Sequence, residues 1–175
     1  MFWSHQVVMK LILDRARGTA DVLKSELAGQ VLRSAGRLRL GVSGWSMLPT
    51  VWPKDTLVIE RANCDEVCVG DVVLFRRGHR LVVHRVIGKA GEASNQTVLT
   101  RGDGMPHADD PVNSSDLMGR VSLILRRGRS FQPGRSLNLP ERIAAALVRR
   151  SYWAGRILTE LQLMREQERP LPCQN

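Results

Sequence analysis

The sequence predicts a mainly β fold, a coiled antiparallel sheet or barrel with helical extensions at both ends. Three observations lead there. Between residues 37 and 126 the chain breaks into short, β-branched runs separated by Gly, Asp and Pro. These runs follow one another too closely for helices to cross between them, which argues for antiparallel neighbours and against alternating strand–helix units. On either side of this region the apolar period changes from that of a strand to that of a helix. With 175 residues and 43% apolar side chains, the chain can bury one core and is too short for two sizeable domains.

Residues 1–18 carry an apolar patch, then Asp14, Arg15 and Arg17, with Gly18 as a breaker. From Thr19 a helical period is set by Leu23, Leu27 and Val31, with Thr19 or Asp21 as N-cap and Gly36 as the stop. Residues 1–36 are therefore expected to form an N-terminal helical extension. Strands are expected at Leu38–Val42, Thr56–Glu60, Asp71–Phe75, Leu81–Ile87, Thr97–Thr100 and Gly119–Leu125, all inside a β domain spanning 37–126. Residues 127–139, rich in Arg, Ser, Gly and Pro, read as a linker. From 140 to 169 a second helical extension places Ile143, Leu147, Ala154, Ile157, Leu161 and Met164 on one face and arginines on much of the other. Packing of this helix on the core is the default; a partner or a membrane surface is the alternative. No internal repeat is visible.

A net charge of +9 suggests affinity for polyanions or an anionic membrane surface. The arginines are spread along the chain, and no aromatic-interleaved basic motif accompanies them, so nucleic acid is not expected as the partner. A membrane-spanning helix needs about 20 predominantly apolar residues. Val7–Leu13 is interrupted by Lys10, and Ile143–Val148 runs at once into Arg149 and Arg150, so neither reaches that length. The N-terminus also lacks the pattern of a secretory signal. The expected location is cytoplasmic, with peripheral contact to an anionic membrane as the alternative. Cys64, Cys68 and Cys173 suggest no disulfide framework, and no second cysteine pair or His–His pair completes a zinc site, so no metal or other cofactor is expected.

The most informative segment is Val42-Ser43-Gly44-Trp45-Ser46-Met47-Leu48-Pro49-Thr50. Ser46 follows an expected strand and lies between Gly44 and Pro49, where a turn could present its hydroxyl. Alone, such a segment is an ordinary turn. A serine hydroxyl stays protonated at neutral pH and becomes a nucleophile only where a neighbouring base takes its proton. The segment Gly44-x-Ser46-Met47-x-Pro49-Thr50 resembles the nucleophile motif of type I signal peptidases. Three further segments follow in that family's order. Val69–Arg76 is similar to its Gly-Asp-hydrophobic strand, and Val82–Gly88 to the segment bearing the catalytic base. Thr100-Arg101-Gly102-Asp103, followed by Asp109, Asp110, Pro111 and Val112, is similar to its Gly-Asp motif, with Gly119-Arg120-Val121 as the closing strand.

The resemblance implies a serine endopeptidase acting on a peptide or precursor protein, with Ser46 as nucleophile and His84 as general base. Most bacterial members carry lysine at the base position. Histidine there resembles the endoplasmic-reticulum and archaeal branch, and the chemistry agrees, since histidine with its unperturbed pKa of about 6.5 is mostly neutral at pH 7 and ready to accept a proton. The register of that branch favours Asp109 as the acid that orients His84, with Asp110 the runner-up; Asp103 and Asp71 are expected to shape turns. On an extended segment adjacent side chains point opposite ways, so one of Asp109 and Asp110 should face His84. The backbone N–H of Ser46 is the expected oxyanion donor. The motif residues Gly44, Met47 and Pro49 are assigned to substrate binding. His79 is expected at a hairpin tip and His107 on a loop surface. Two other readings stay open: a non-catalytic peptide-binding module, and a self-cleaving regulator of the SOS-repressor type, whose serine–lysine pairing would need Lys89 beyond the matched base position.

Overall fold

The computed structural model describes residues 4–91 and 96–150, with side chains from residue 19 onward. Helix α1 (Ser4–Ala35) leads into β1 (Arg37–Gly41), β2 (Thr56–Arg61), β3 (Val72–Arg77), β4 (Arg80–Ala90), β5 (Thr97–Arg101), β6 (Val112–Asn113), β7 (Leu117–Arg126), β8 (Arg129–Phe131) and α2 (Leu139–Arg150). The strands form one antiparallel sheet of order β1-β2-β7-β3-β4-β5-β6, with β8 paired to β7. β1 and β6 are its outer strands, so among the described residues the sheet stays open and does not close as a barrel.

All six expected strands are present, shifted at their ends; β6 and β8, of two and three residues, carry too little pattern to be seen in advance. Gly18 does not break α1, which runs through it. A single glycine weakens a helix by about 1 kcal/mol, which neighbouring turns can absorb. Gly36 is the true stop. Its φ of 69° is left-handed, and its N–H bonds the Leu32 carbonyl at 3.1 Å, closing the last turn.

The sheet buries side chains on both faces. On β3, Val72 and Leu74 join one cluster with Leu57, Ile59, Val121 and Ile124, while Val73 and Phe75 join another with Val86, Val98, Val112 and Leu117. Alternation along the strand sends successive residues to opposite faces, which is why this run is apolar without interruption. Cys64 is buried in the second cluster, whereas Cys68 is exposed.

Both helices pack through faces other than their leucine stripes. Among the described side chains of α1 the buried positions are Ser25, Ala28, Gly29 and Leu32, and Leu23 and Leu27 are half exposed. Small residues permit this approach: a Cβ on Gly29 would lie 3.5 Å from the Met118 side chain of β7. In α2 the buried residues are Ala145 and Val148, while Ile143 and Leu147 point outward. Periodicity found both helices, but Thr19 and Asp21 lie inside α1 and do not cap it, and α2 is described only as far as Arg150; the packed face was set by which side chains are small enough to lie on the sheet and loops. Ala154, Ile157, Leu161 and Met164 lie outside the described residues. Among the described residues no helix is long and apolar enough to cross a membrane.

Candidate active site

The segment after β1 is closed into a loop by backbone bonds from Val42 N to Asp55 O and from Lys54 N to Val42 O. Asp55 caps the return by accepting the Trp52 N–H at 2.7 Å, and Arg126 of β7 binds its carboxylate. Within the loop, Leu48 N bonds Trp45 O and Val51 N bonds Met47 O, winding residues 46–50 into a turn. Met47, Leu48 and Val51 are buried and anchor it. Ser46 stands at the start of this turn with a partly exposed side chain. Sequence and structure agree here: three apolar residues hold the turn down, and the serine between Trp45 and Met47 faces the other way.

His84 lies on β4 opposite Val73 of β3, so its ring shares the face of Val73 and Phe75. Phe75 meets it edge-on, with ring centroids 6.1 Å apart. Nε2 of His84 is 3.0 Å from Ser46 Oγ, and Nδ1 is 2.5 Å from Asp109 Oδ2. A carboxylate can only accept, so Nδ1 is assigned as the donor to Asp109, a tautomer that leaves Nε2 able to accept from the serine hydroxyl. The three side chains thus line up in the order serine, histidine, aspartate.

The acid loop follows β5. Asp109 N bonds Thr100 O at 2.8 Å, which turns the Asp109 side chain inward. Its Oδ2 also accepts the Thr100 hydroxyl at 2.7 Å, and its Oδ1 lies 3.4 Å from Arg77 Nη1. Asp110 points the other way; its side chain is 96% exposed and lies 3.6 Å from Arg77 Nη2. Of the two adjacent aspartates, Asp109 faces His84.

Asp103 does more than shape a turn. It is buried and takes Arg85, the residue after His84, in a two-point ion pair, with Nε to Oδ1 and Nη2 to Oδ2 both at 2.8 Å. Thr50, from the Ser46 turn, donates its hydroxyl to Asp103 Oδ2 and accepts from Arg85 Nη2 at 3.2 Å. Arg85 Nη1 donates to the carbonyls of Gly70 and Gly134 at 2.7 and 2.6 Å. One guanidinium therefore ties the serine turn, the His84 strand, the Gly-Asp loop and the segment before α2 together. Asp71 does hold a turn, by accepting the Cys68 N–H at 2.9 Å.

The Gly-Asp loop presses directly against the serine. Gly104 N bonds Ser46 O at 2.9 Å, and a Cβ on Gly102 would come within 2.5 Å of that carbonyl and 3.0 Å of His84 Nε2. Helix α2 covers the loop from outside: a Cβ on Gly104 would lie 2.9 Å from Val148, and Arg149 Nε donates to Asp103 O at 3.0 Å.

Of the motif residues around Ser46, Gly44 is exposed with open space where a side chain would go. Pro49 is partly exposed after a cis peptide bond. The Met47 side chain is buried in the core, so it faces away from any substrate and leaves only its backbone to meet one. His79 lies at the β3–β4 hairpin tip and His107 on an exposed loop. Lys89 donates to Asp65 O. Nothing in the sequence marks Thr100, Arg77 and Arg85 beyond their adjacency to motif residues.

Comparison with protein families matches residues 27–124 to the family described as signal peptidase, peptidase S26. The match runs from the end of α1 into β7 and includes Ser46, His84, Asp103 and Asp109. None of the curated proteins matches the chain.

Proposed function

The chain belongs to the signal peptidase family, peptidase S26, and on that footing we propose that it is a serine endopeptidase performing limited, site-specific cleavage of a peptide or precursor protein. The observation that carries this reading is the His84 ring standing between Ser46 Oγ at 3.0 Å and Asp109 Oδ2 at 2.5 Å. As the Ser46 oxygen attacks the scissile carbonyl, its proton passes to His84 Nε2, and Asp109 stabilises the resulting imidazolium. The backbone N–H of Ser46 is the proposed donor to the developing oxyanion. Collapse breaks the peptide C–N bond, with the His84 proton going to the leaving amine. Water, deprotonated by the same ring, then releases the acyl group from Ser46. Histidine in place of lysine at the base position supports assignment to the endoplasmic-reticulum and archaeal branch. Gly44, with open space above it, and Pro49 are proposed to line the substrate strand. The outward Ile143 and Leu147 of α2, beside Arg142 and Arg150, support peripheral contact with an anionic membrane.

The test is covalent. A fluorophosphonate probe should label Ser46 in the native protein, and labelling and peptide cleavage should both vanish in Ser46→Ala and His84→Ala while thermal unfolding stays cooperative. Folded protein that neither labels nor cleaves would favour a peptide-binding module, and near-full turnover without His84 would remove the base assignment.

A further inference from the structure

We propose that Thr100 is a positioning residue of this site: its hydroxyl shares the Asp109 oxygen that faces His84, and so sets both the aim of the carboxylate and how firmly the imidazole holds its proton. The inference rests on the serine–histidine reading above.

Thr100 is fully buried on β5, opposite Val86 of β4, two residues along from His84. Its single hydroxyl proton is donated to Asp109 Oδ2 at 2.7 Å, while its carbonyl receives the Asp109 N–H at 2.8 Å. Backbone and side chain of one residue therefore fix both the start and the end of the aspartate side chain. Without the hydroxyl bond, the carboxylate could turn about its own axis and offer His84 Nδ1 a poorer angle. A second consequence is electrostatic. Oδ2 divides its acceptor capacity between Thr100 and His84, so a donor from Thr100 draws charge away from the imidazole. Asp109 bonds the ring, Arg77 of β3 lies 3.4 Å from the far oxygen of Asp109, and Asp110 lies beyond Arg77. Arg85 and Asp103 bind one another on the opposite face of β4.

The substitution Thr100→Val removes the hydroxyl and keeps the β-branched shape the strand requires. It is expected to lower kcat by about tenfold through misaimed geometry. The acid limb of the kcat/KM profile should also move upward, because a carboxylate relieved of the Thr100 donor stabilises protonated His84 more strongly. Thr100→Ser should restore most of both effects, and in an Asp109→Asn background the Thr100→Val shift should disappear. NMR titration of the His84 ring gives the same comparison without substrate. Should the valine variant fail to fold, Thr100→Ala compared with Thr100→Ser carries the same test. An unmoved limb and ring titration in a folded variant lacking the hydroxyl overturns the proposal. So does an equal loss in the serine and valine variants, which would mean packing alone. If Ser46→Ala and His84→Ala leave hydrolysis intact, the function reading itself fails and this inference falls with it; if they abolish it while Thr100→Val is silent, only this inference fails.

Discussion

Gly102→Ala should disable the site by displacing it, with no chemical group removed. A Cβ at residue 102 would stand 2.5 Å from the Ser46 carbonyl oxygen, 2.7 Å from Met105 Cγ and 3.0 Å from His84 Nε2. Ordinary contact begins at 3.4 Å, so the serine turn and the Gly-Asp loop must separate by about 0.9 Å. The loop cannot retreat easily. Behind it, Asp103 is held by both ends of the Arg85 guanidinium, and Val148 of α2 packs on Gly104. The displacement therefore falls on the Ser46 turn, whose Oγ must remain 3.0 Å from His84. A misplacement of about 1 Å in a reacting pair reduces rates on the order of a hundredfold. Overpacking of this kind also destabilises by roughly 1–3 kcal/mol. The assay is the second-order rate of fluorophosphonate labelling at Ser46, beside thermal unfolding of the same sample. Gly41→Ala, at the end of β1 and outside the site, is the control, since its Cβ meets nothing within 4 Å and it should label like the native protein. A Gly102→Ala protein that folds and labels within about threefold of native would refute the reasoning, because no path would then exist from that contact to the nucleophile.

Three further outcomes follow from the same geometry. Asp109→Asn should reduce turnover by roughly a thousandfold or more, by removing the charge that steadies protonated His84, whereas Asp110→Asn, at a 96% exposed side chain, should stay within about threefold in steady-state kinetics. Arg85→Ala leaves the buried Asp103 carboxylate unmatched and should destabilise by roughly 3–5 kcal/mol, lowering Tm by about 10 °C or more in calorimetry; the double variant Arg85→Met with Asp103→Leu should recover much of that loss. The Arg37 guanidinium holds the Glu60 carboxyl below the usual carboxylate range through a 2.6 Å hydrogen bond across β1 and β2. A depressed carboxyl adds stability above its unfolded value of about 4.3 and loses it as pH falls through the folded value. Because both side chains are more than a third exposed and screened, Arg37→Ala should lower stability by only about 0.2–1 kcal/mol in urea titrations at pH 7, with the difference fading as pH falls through the folded value.

The parts of the molecule legible in the sequence are those governed by local rules. Strand alternation and β-branching placed β1 to β5 and β7. The left-handed stop at Gly36 and the presentation of Ser46 by a turn are also short-range effects. His84 and Asp109 were reached through motif register, and the alternation of adjacent side chains separated Asp109 from Asp110. What stayed hidden depends on contacts between distant segments. The Asp103–Arg85 pair joins β4 to a loop 18 residues later, and its partner Thr50 lies 35 residues before Arg85. No periodicity encodes such a meeting. The packed faces of α1 and α2 were hidden for a related reason: leucine stripes mark amphipathicity, but the faces used are those of Ala28 and Ala145, where small side chains let the helix come close. Met47 looked like a site residue because of its neighbour Ser46, yet an adjacent residue on a tight turn faces the opposite way, into the core.

The contact between Arg85 and the Gly134 carbonyl bears on where this enzyme can be cut. Strand pattern ends near residue 126, and a truncation there would seem harmless by sequence. It would instead strip an acceptor from Arg85 Nη1, remove the Arg135 side chain that lies 3.2 Å from Asp71, and uncover the Gly-Asp loop that Val148 and Arg149 hold in place. Fusion partners, affinity tags and limited proteolysis that disturb residues 133–150 therefore act on Arg85, the neighbour of His84. The smallest active fragment should extend through Arg150, and insertions belong at the β3–β4 hairpin tip around Gly78 and His79, where the backbone is exposed.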